Sequence, residues 1–336
     1  MHMSDALLSP AVGITMAAVS IGAIGYSVRK ITKKDSNFDE KKIPMMAVMG
    51  AFVFAGQMIN FTIPGTGSSG HIGGGILLAA ILGPFPALLT IASVLLIQCL
   101  FFADGGLLAY GCNVFNMGIC ACLFAYLLIY KPIIKKWGTN KKNIIIAAII
   151  SVVLGLQAGA FGVVLETTVS GVAGIPFGVF VALMQPIHLA IGLIEGIVTA
   201  AVLCFIQSIR PEILDIPDTA DKKASLSLKK VILIFIALTV IIGGGLSVLA
   251  SKLPDGLEWS VAKANQTEQI ADNANNTATV SPSDNTNTAN TPESTDNTST
   301  SGIIGSVITV ALVGIIGLAI RIFKNKNKKN KKSQVT

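Results

Sequence analysis

The stretch IGGGILLAAILGPFPALLTIASVLLIQCLFF, residues 72–102, carries no charge, and how it divides decides the fold. A helix that crosses a bilayer needs about 20 apolar residues. This block is too long for one such helix and barely enough for two. The GPFP at 83–86 supplies the break, because proline has no backbone N–H to continue a helix and is tolerated only in the first turn of a new one. We read two short helices, or a re-entrant hairpin, with both outer ends on one side.

Working outward, comparable apolar stretches begin near Ala6, Pro44, Leu107, Asn143, Phe177, Lys229 and Gly302, giving nine helices. The chain has 336 residues, 52% of them hydrophobic and 13% charged, with a mean hydropathy of +0.69. That composition excludes a soluble globular domain and makes this an all-α integral membrane protein. Lys and Arg collect in cytoplasmic loops. Residues 29–42 hold six, 131–142 five, 210–230 five and the tail from Arg321 seven, together 23 of the 25, leaving Lys252 and Lys263 outside. This pattern requires an even number of crossings between Gly65 and Asp104. It places a multi-pass protein in the cell membrane with its N-terminus extracytoplasmic and its C-terminus cytoplasmic. The net charge of +7 is thus a topology signal beside anionic lipid, with the bilayer as partner and no nucleic acid.

The organisation follows from composition. Residues 1–208 form a seven-helix bundle, 209–230 a cytoplasmic linker, 231–323 a two-helix module, and 324–336 a basic cytoplasmic tail. Within the second module an extracytoplasmic PDGLE loop is followed by a segment, 264–301, so rich in Asn, Thr, Ser and Asp that it reads as a disordered tether. Sequons stand at Asn265, Asn275 and Asn297. Cys99, Cys112, Cys120, Cys122 and Cys204 all lie in apolar helices and read as packing residues. The first helix has no basic n-region and no A-x-A site, so it is not a cleaved signal. Met1 is expected to survive, since His2 is too large to permit its removal.

Three histidines carry the chemistry: His2, His71 and His188. A free terminus followed by His offers three nitrogens in sequence, the Met1 amine, the His2 amide and the His2 Nδ1, closing a five- and a six-membered ring on a metal. His71 ends the glycine-rich turn PGTGSSGH on the same side and can supply a fourth nitrogen. A planar four-nitrogen set suits Ni2+ or Cu2+ better than zinc. Within the membrane, polar residues invite functional readings. His188 and Glu195 lie seven residues apart on one helix face, just after Pro186. Asn113 and Asn116 share a face of the fifth helix, as do Gln57 and Asn60 of the second. Their default role is interhelical hydrogen bonding, and the sharper one is orientation of a metal-bound imidazole. There is no Walker lysine, no H-E-x-x-H and no G-x-S-x-G, so the chain reads as a non-enzyme with no permanent cofactor.

The MH start with Asp5 and LLSP behind it, GSSGHIGGG, NVFNMG, and His188 followed by IGLIEG, in that order, resemble the substrate-capture subunits of energy-coupling-factor transporters for cobalt and nickel, the CbiM/NikM family. The match covers about residues 1–208. The remainder is similar to the NikN-like module often fused to these proteins, whose PDGLE motif is Pro254, Asp255, Gly256, Leu257 and Glu258. Ser4 and Ala6 stand where the family commonly has proline and glycine. The resemblance implies metal donors from Met1, His2 and His71, with transported Ni2+ or Co2+ as bound ligand and nickel slightly preferred. It also implies partners: a transmembrane coupling subunit (CbiQ/NikQ-like) and two ATPases (CbiO/NikO-like), which hydrolyse the ATP. Two other readings of the residues stand beside it. One is a self-sufficient secondary carrier or channel using Glu195 and His188 as a proton-coupled pair, and the other an outer-surface metal-binding or sensing module.

Overall fold

In a computed structural model, which describes residues 1–33, 38–214, 225–275 and 298–332, the apolar stretches form helices in the expected order. The first module contains α1 (Pro10–Thr32), α2 (Ile43–Gln57), α3 (Gly75–Leu82), α4 (Pro84–Phe102), α5 (Tyr110–Trp137), α6 (Lys141–Ser170) and α7 (Phe177–Ile209). The second contains α8 (Leu228–Leu249), α9 (Gly256–Asn275) and α10 (Thr298–Lys332). Seven of these are long and apolar enough to cross a membrane. The middle of α5, Val114–Tyr130, is wound in the wider π form.

The block at 72–102 divides at Gly83, which has φ +91° and ends α3, with Pro84 opening α4. With eight residues, α3 is only about 12 Å long, and all eight are buried among α2, α4, α5, α6 and α7. Gln57 at the end of α2 donates to the Gly73 carbonyl at 2.7 Å. At the other end, Lys42 donates to the carbonyls of Ile81 and Leu82, both at 3.4 Å. So α2 and α3 run antiparallel between the same two levels, and the chain before α3 dips into the bundle. That chain is a hairpin, β1 (Phe61–Ile63) paired antiparallel with β2 (Ser68–Gly70).

Large apolar side chains such as Ile14, Ile21, Leu128, Ile197, Leu249 and Ile322 point outward, as a hydrocarbon solvent permits. In the second module α10 lies along α2 with α8 beside it. Gly302 meets Gly243 so closely that a Cβ on it would fall 2.4 Å from the Gly243 carbonyl oxygen. Between these helices, on the side of the hairpin, the structure corrects one expectation. Residues 264–275 belong to α9 rather than to a tether. The reason is a short apolar stripe, Leu257, Ser260 and Ala264, all buried, recurring at helical spacing and packed on α7. Residues 276–297 of the tether, 215–224 of the linker, and 333–336 of the tail lie outside the described residues, as does the sequon asparagine Asn297.

Candidate metal-capture site

Residues far apart in sequence meet at the hairpin end of the bundle. The Met1 amine nitrogen is 3.0 Å from His71 Nε2 and 2.6 Å from Asp255 Oδ2. Met1 and His71 are 5% and 7% exposed, so this contact is made inside the protein. Among the described residues no three His, Cys, Asp or Glu side chains are placed to hold a metal ion.

The first residues are held as an inserted, irregular segment. Met3 N–H donates to Asn113 Oδ1 at 2.7 Å, and Asn113 Nδ2 donates back to the Met3 carbonyl at 3.1 Å. Gly106 N–H donates to the same carbonyl at 3.1 Å. Asp5 Oδ1 accepts from Ala109 N–H at 2.9 Å. Gly106 permits the approach, because a Cβ there would stand 1.7 Å from Asp5 Oδ1. These are local reasons why a glycine pair and an asparagine lie where they do in the 104–113 region.

The His2 ring stacks on that of His71, with centroids 4.9 Å apart and planes 16° from parallel. Its Nδ1 is 3.1 Å from Asp104 Oδ1, and its buried Nε2 has no hydrogen-bond partner among the described residues. The nitrogen that a terminal chelate would use therefore faces a carboxylate in this conformation. Burial, then the terminal ammonium, lowers both His2 and His71 to about 3, so both rings are neutral at physiological pH. Burial acts to raise the Asp255 carboxyl, but the ammonium and His71 overcome it and hold it below the ordinary carboxylate range. Asp104 has no such contact with the ammonium, and burial raises it.

The PDGLE motif is a helix start. Asp255 Oδ1 accepts from the N–H groups of Leu257 and Glu258 at 2.8 and 2.9 Å, and Glu258 Oε2 accepts from Asp255 N–H at 3.2 Å. This reciprocal capping box opens α9 and leaves Asp255 Oδ2 for the amine. Just before it, Ser69 N–H donates to the Pro254 carbonyl at 2.8 Å, and Ser69 Oγ donates to the Leu253 carbonyl at 2.7 Å. The motif is thereby stitched alongside β2. Gly256 lies against His188, where a Cβ would meet the ring at 3.1 Å.

Of the intramembrane residues, Asn113 holds Met3, and Asn116 Nδ2 donates to Glu166 Oε2 at 2.6 Å and faces the Met3 sulfur at 3.8 Å. Glu195 Oε1 accepts from Gly74 N–H at 2.8 Å, fixing the chain that carries His71. His188 Nδ1 is 2.8 Å from the Met184 carbonyl, on a helix that continues through Pro186. Two residues escaped the sequence reading. Asp104 is the only acid between Glu40 and Glu166, Glu166 is the only acid in α6, and each could have been singled out on that ground. The partner of Asp255, 254 positions away, leaves no local signal.

Residues 2–213 match the family model described as CbiM, cobalt uptake substrate-specific transmembrane region. This chain belongs to the CbiM family. Residues 229–322 of this CbiM-family protein match the PDGLE domain model. It is 34% identical over 215 residues, 64% of its length and 68% of the relative's, to an Archaeoglobus fulgidus protein provisionally named fused nickel transport protein NikMN. It is 31% identical over 226 residues, 64% of each chain, to the fused nickel transport protein NikMN of Rhodobacter capsulatus. A solved structure titled as a truncated transition metal transporter superposes with a TM-score of 0.54 at 30% identity, covering 62% of this chain and 99% of that one. The CbiM-family protein is accordingly a multi-pass membrane component of nickel or cobalt transport with a fused PDGLE domain.

Proposed function

We propose that this protein is the substrate-binding membrane component of an energy-coupling-factor importer, capturing Ni2+ or Co2+ with the Met1 amine, the His2 amide and imidazole, and His71 Nε2. The observation that carries the reading is the 3.0 Å approach of the Met1 nitrogen to His71 Nε2 inside the protein. Donors on neighbouring corners of a square, each about 2.0 Å from a metal, stand about 2.8 Å apart. The two nitrogens need almost no movement to share one ion.

Three changes accompany loading, the first being that the His2 amide releases its proton to solvent so that its nitrogen can bind. The amine gives up a proton and its ion pair with Asp255, since a metal takes the lone pair. The His2 ring turns its Nδ1 away from Asp104 and out of the stack on His71. Asp255 then remains beside the bound dication as countercharge, which gives the PDGLE module a supporting role in holding the site. Transport is powered by separate proteins, a transmembrane coupling subunit and two ATPases.

Metal analysis of purified protein with a native N-terminus, beside a His71→Ala variant, tests the site. One nickel or cobalt per chain is expected in the parent, and loss of tight binding in the variant. Equal metal in both, held with the parent's affinity, would reject the assignment. Uptake by cells with and without a coupling subunit and ATPases tests the partners, and undiminished uptake without them would favour a self-sufficient carrier.

A further inference from the structure

Met1 and His71 share the wall of a cavity of about 30 Å³ with two groups the capture site does not use, His188 and Glu195. The space accommodates a bare ion with a water, or one to two waters. His188 is completely buried. Because the Met184 carbonyl 2.8 Å from Nδ1 can only accept, that nitrogen carries the ring proton. Nε2 is left with a lone pair and has no partner among the described residues. An imidazole whose second nitrogen is held by a backbone carbonyl is arranged as metal-ligating histidines are.

Glu195 is also an acceptor, tied by one oxygen to Gly74 N–H. Asn116, the amide on the same wall, has its donor group committed to Glu166. His188 Nε2 and Glu195 thus present acceptor atoms on this wall. An occupant that brings positive charge or hydrogens of its own complements them. Gly256 of the PDGLE motif packs against the His188 ring, so the second module contributes to the wall of the chamber.

We propose that this cavity is a second cation station, in which His188 Nε2 and the Glu195 carboxylate receive a divalent transition-metal ion from the Met1 and His71 donors on the same wall. The proposal rests on the capture reading above. The step is ligand exchange without redox: bonds from the metal to the Met1 amine, the His2 amide and imidazole, and His71 Nε2 break, bonds to His188 Nε2, a Glu195 oxygen and water form, and the freed amide and amine take back from water the protons they released on capture. With mixed nitrogen, carboxylate and water ligands the ion leaves planar geometry for a higher-coordinate one.

The test uses the full chain with a native N-terminus in nanodiscs, titrated calorimetrically with NiCl2 and followed by nickel X-ray absorption. His71→Ala is expected to lose the planar signature and retain one weaker, non-planar Ni2+ per chain. Adding His188→Asn, or separately Glu195→Gln, to that background weakens the residual binding by at least about 10-fold. Thermal melts identify folded variants, and the two additions report independently. Residual binding indifferent to both additions, or none at all in His71→Ala, would overturn the second station and indicate that the cavity holds only water. A His71→Ala protein with the parent's planar signature and affinity would instead overturn the capture reading.

Discussion

Placing one glycine ahead of Met1 converts the terminal amine into a peptide nitrogen and moves the new amine up to one residue length, about 3.6 Å, along the chain. That shift takes it away from both of its partners. Asp255 Oδ2 is 2.6 Å and His71 Nε2 3.0 Å from the present nitrogen, and the pair with Asp255 is nearly enclosed, with side-chain exposures of 4% and 13%. Breaking a buried ion pair by removing one partner costs about 3–5 kcal/mol, which alone weakens docking of the segment by roughly 10²- to 5×10³-fold. Loss of a chelating donor adds to that. The expected result, by metal analysis and calorimetry with NiCl2, is a protein without stoichiometric metal. Cleaving the added residue restores capture, and intact mass confirms which terminus is present. An extended protein that still holds one nickel per chain would refute the coordination proposed for Met1.

Other outcomes follow from the contacts around that segment. Asn113→Ala removes both bonds to Met3 and leaves a buried N–H unpaired, at about 1–3 kcal/mol; calorimetry should show capture weakened roughly 10- to 100-fold with the bundle's melting little changed. Gly106→Ala places a methyl group on Asp5, so the amino-terminal segment should become accessible to limited proteolysis and lose metal. Acidification should undock it. His2 titrates at about 3 when docked and near 6.5 when released, so the stability it lends is complete above about 6.5 and is lost as pH falls toward 3. At pH 5 the loss is about 2 kcal/mol. The depressed Asp255 acts with the same sign at lower pH, its contribution present above the ordinary carboxylate range and lost below it. Protease accessibility that is flat from pH 7.5 to pH 4 would contradict this.

The helices were legible because hydrocarbon imposes a length and excludes charge, and the break at Gly83 because proline and a positive-φ glycine leave few alternatives there. The nearness of Met1 to His71 could be anticipated from side and chemistry, since a terminal amine with an adjacent imidazole and a second imidazole on the same side are nitrogen donors suited to one ion. The ring of His2 was harder. Its orientation depends on Asp104, which nothing in the local pattern links to it. Asp255 was visible as part of a motif but not as the terminal ammonium's partner, because a capping box is a local device and the ion pair is not. The later turns of α9, residues 264–275, were hidden in a polar composition, and they extend a helix that Leu257, Ser260 and Ala264 anchor against α7.

The covering of α2 bears on how the two modules came to be one polypeptide. Apart from Gln57, every side chain of α2 is apolar, and α8 and α10 rest on it largely through methyl groups and glycines. Acyl chains would coat that same flank at little cost, because lipid is as apolar as leucine. Detachment there strands almost nothing that water or a hydrogen bond would have to rescue. Covalent fusion thus guarantees proximity more than it supplies stability, and a gene cut within the linker should yield two peptides that each insert unaided and then reunite.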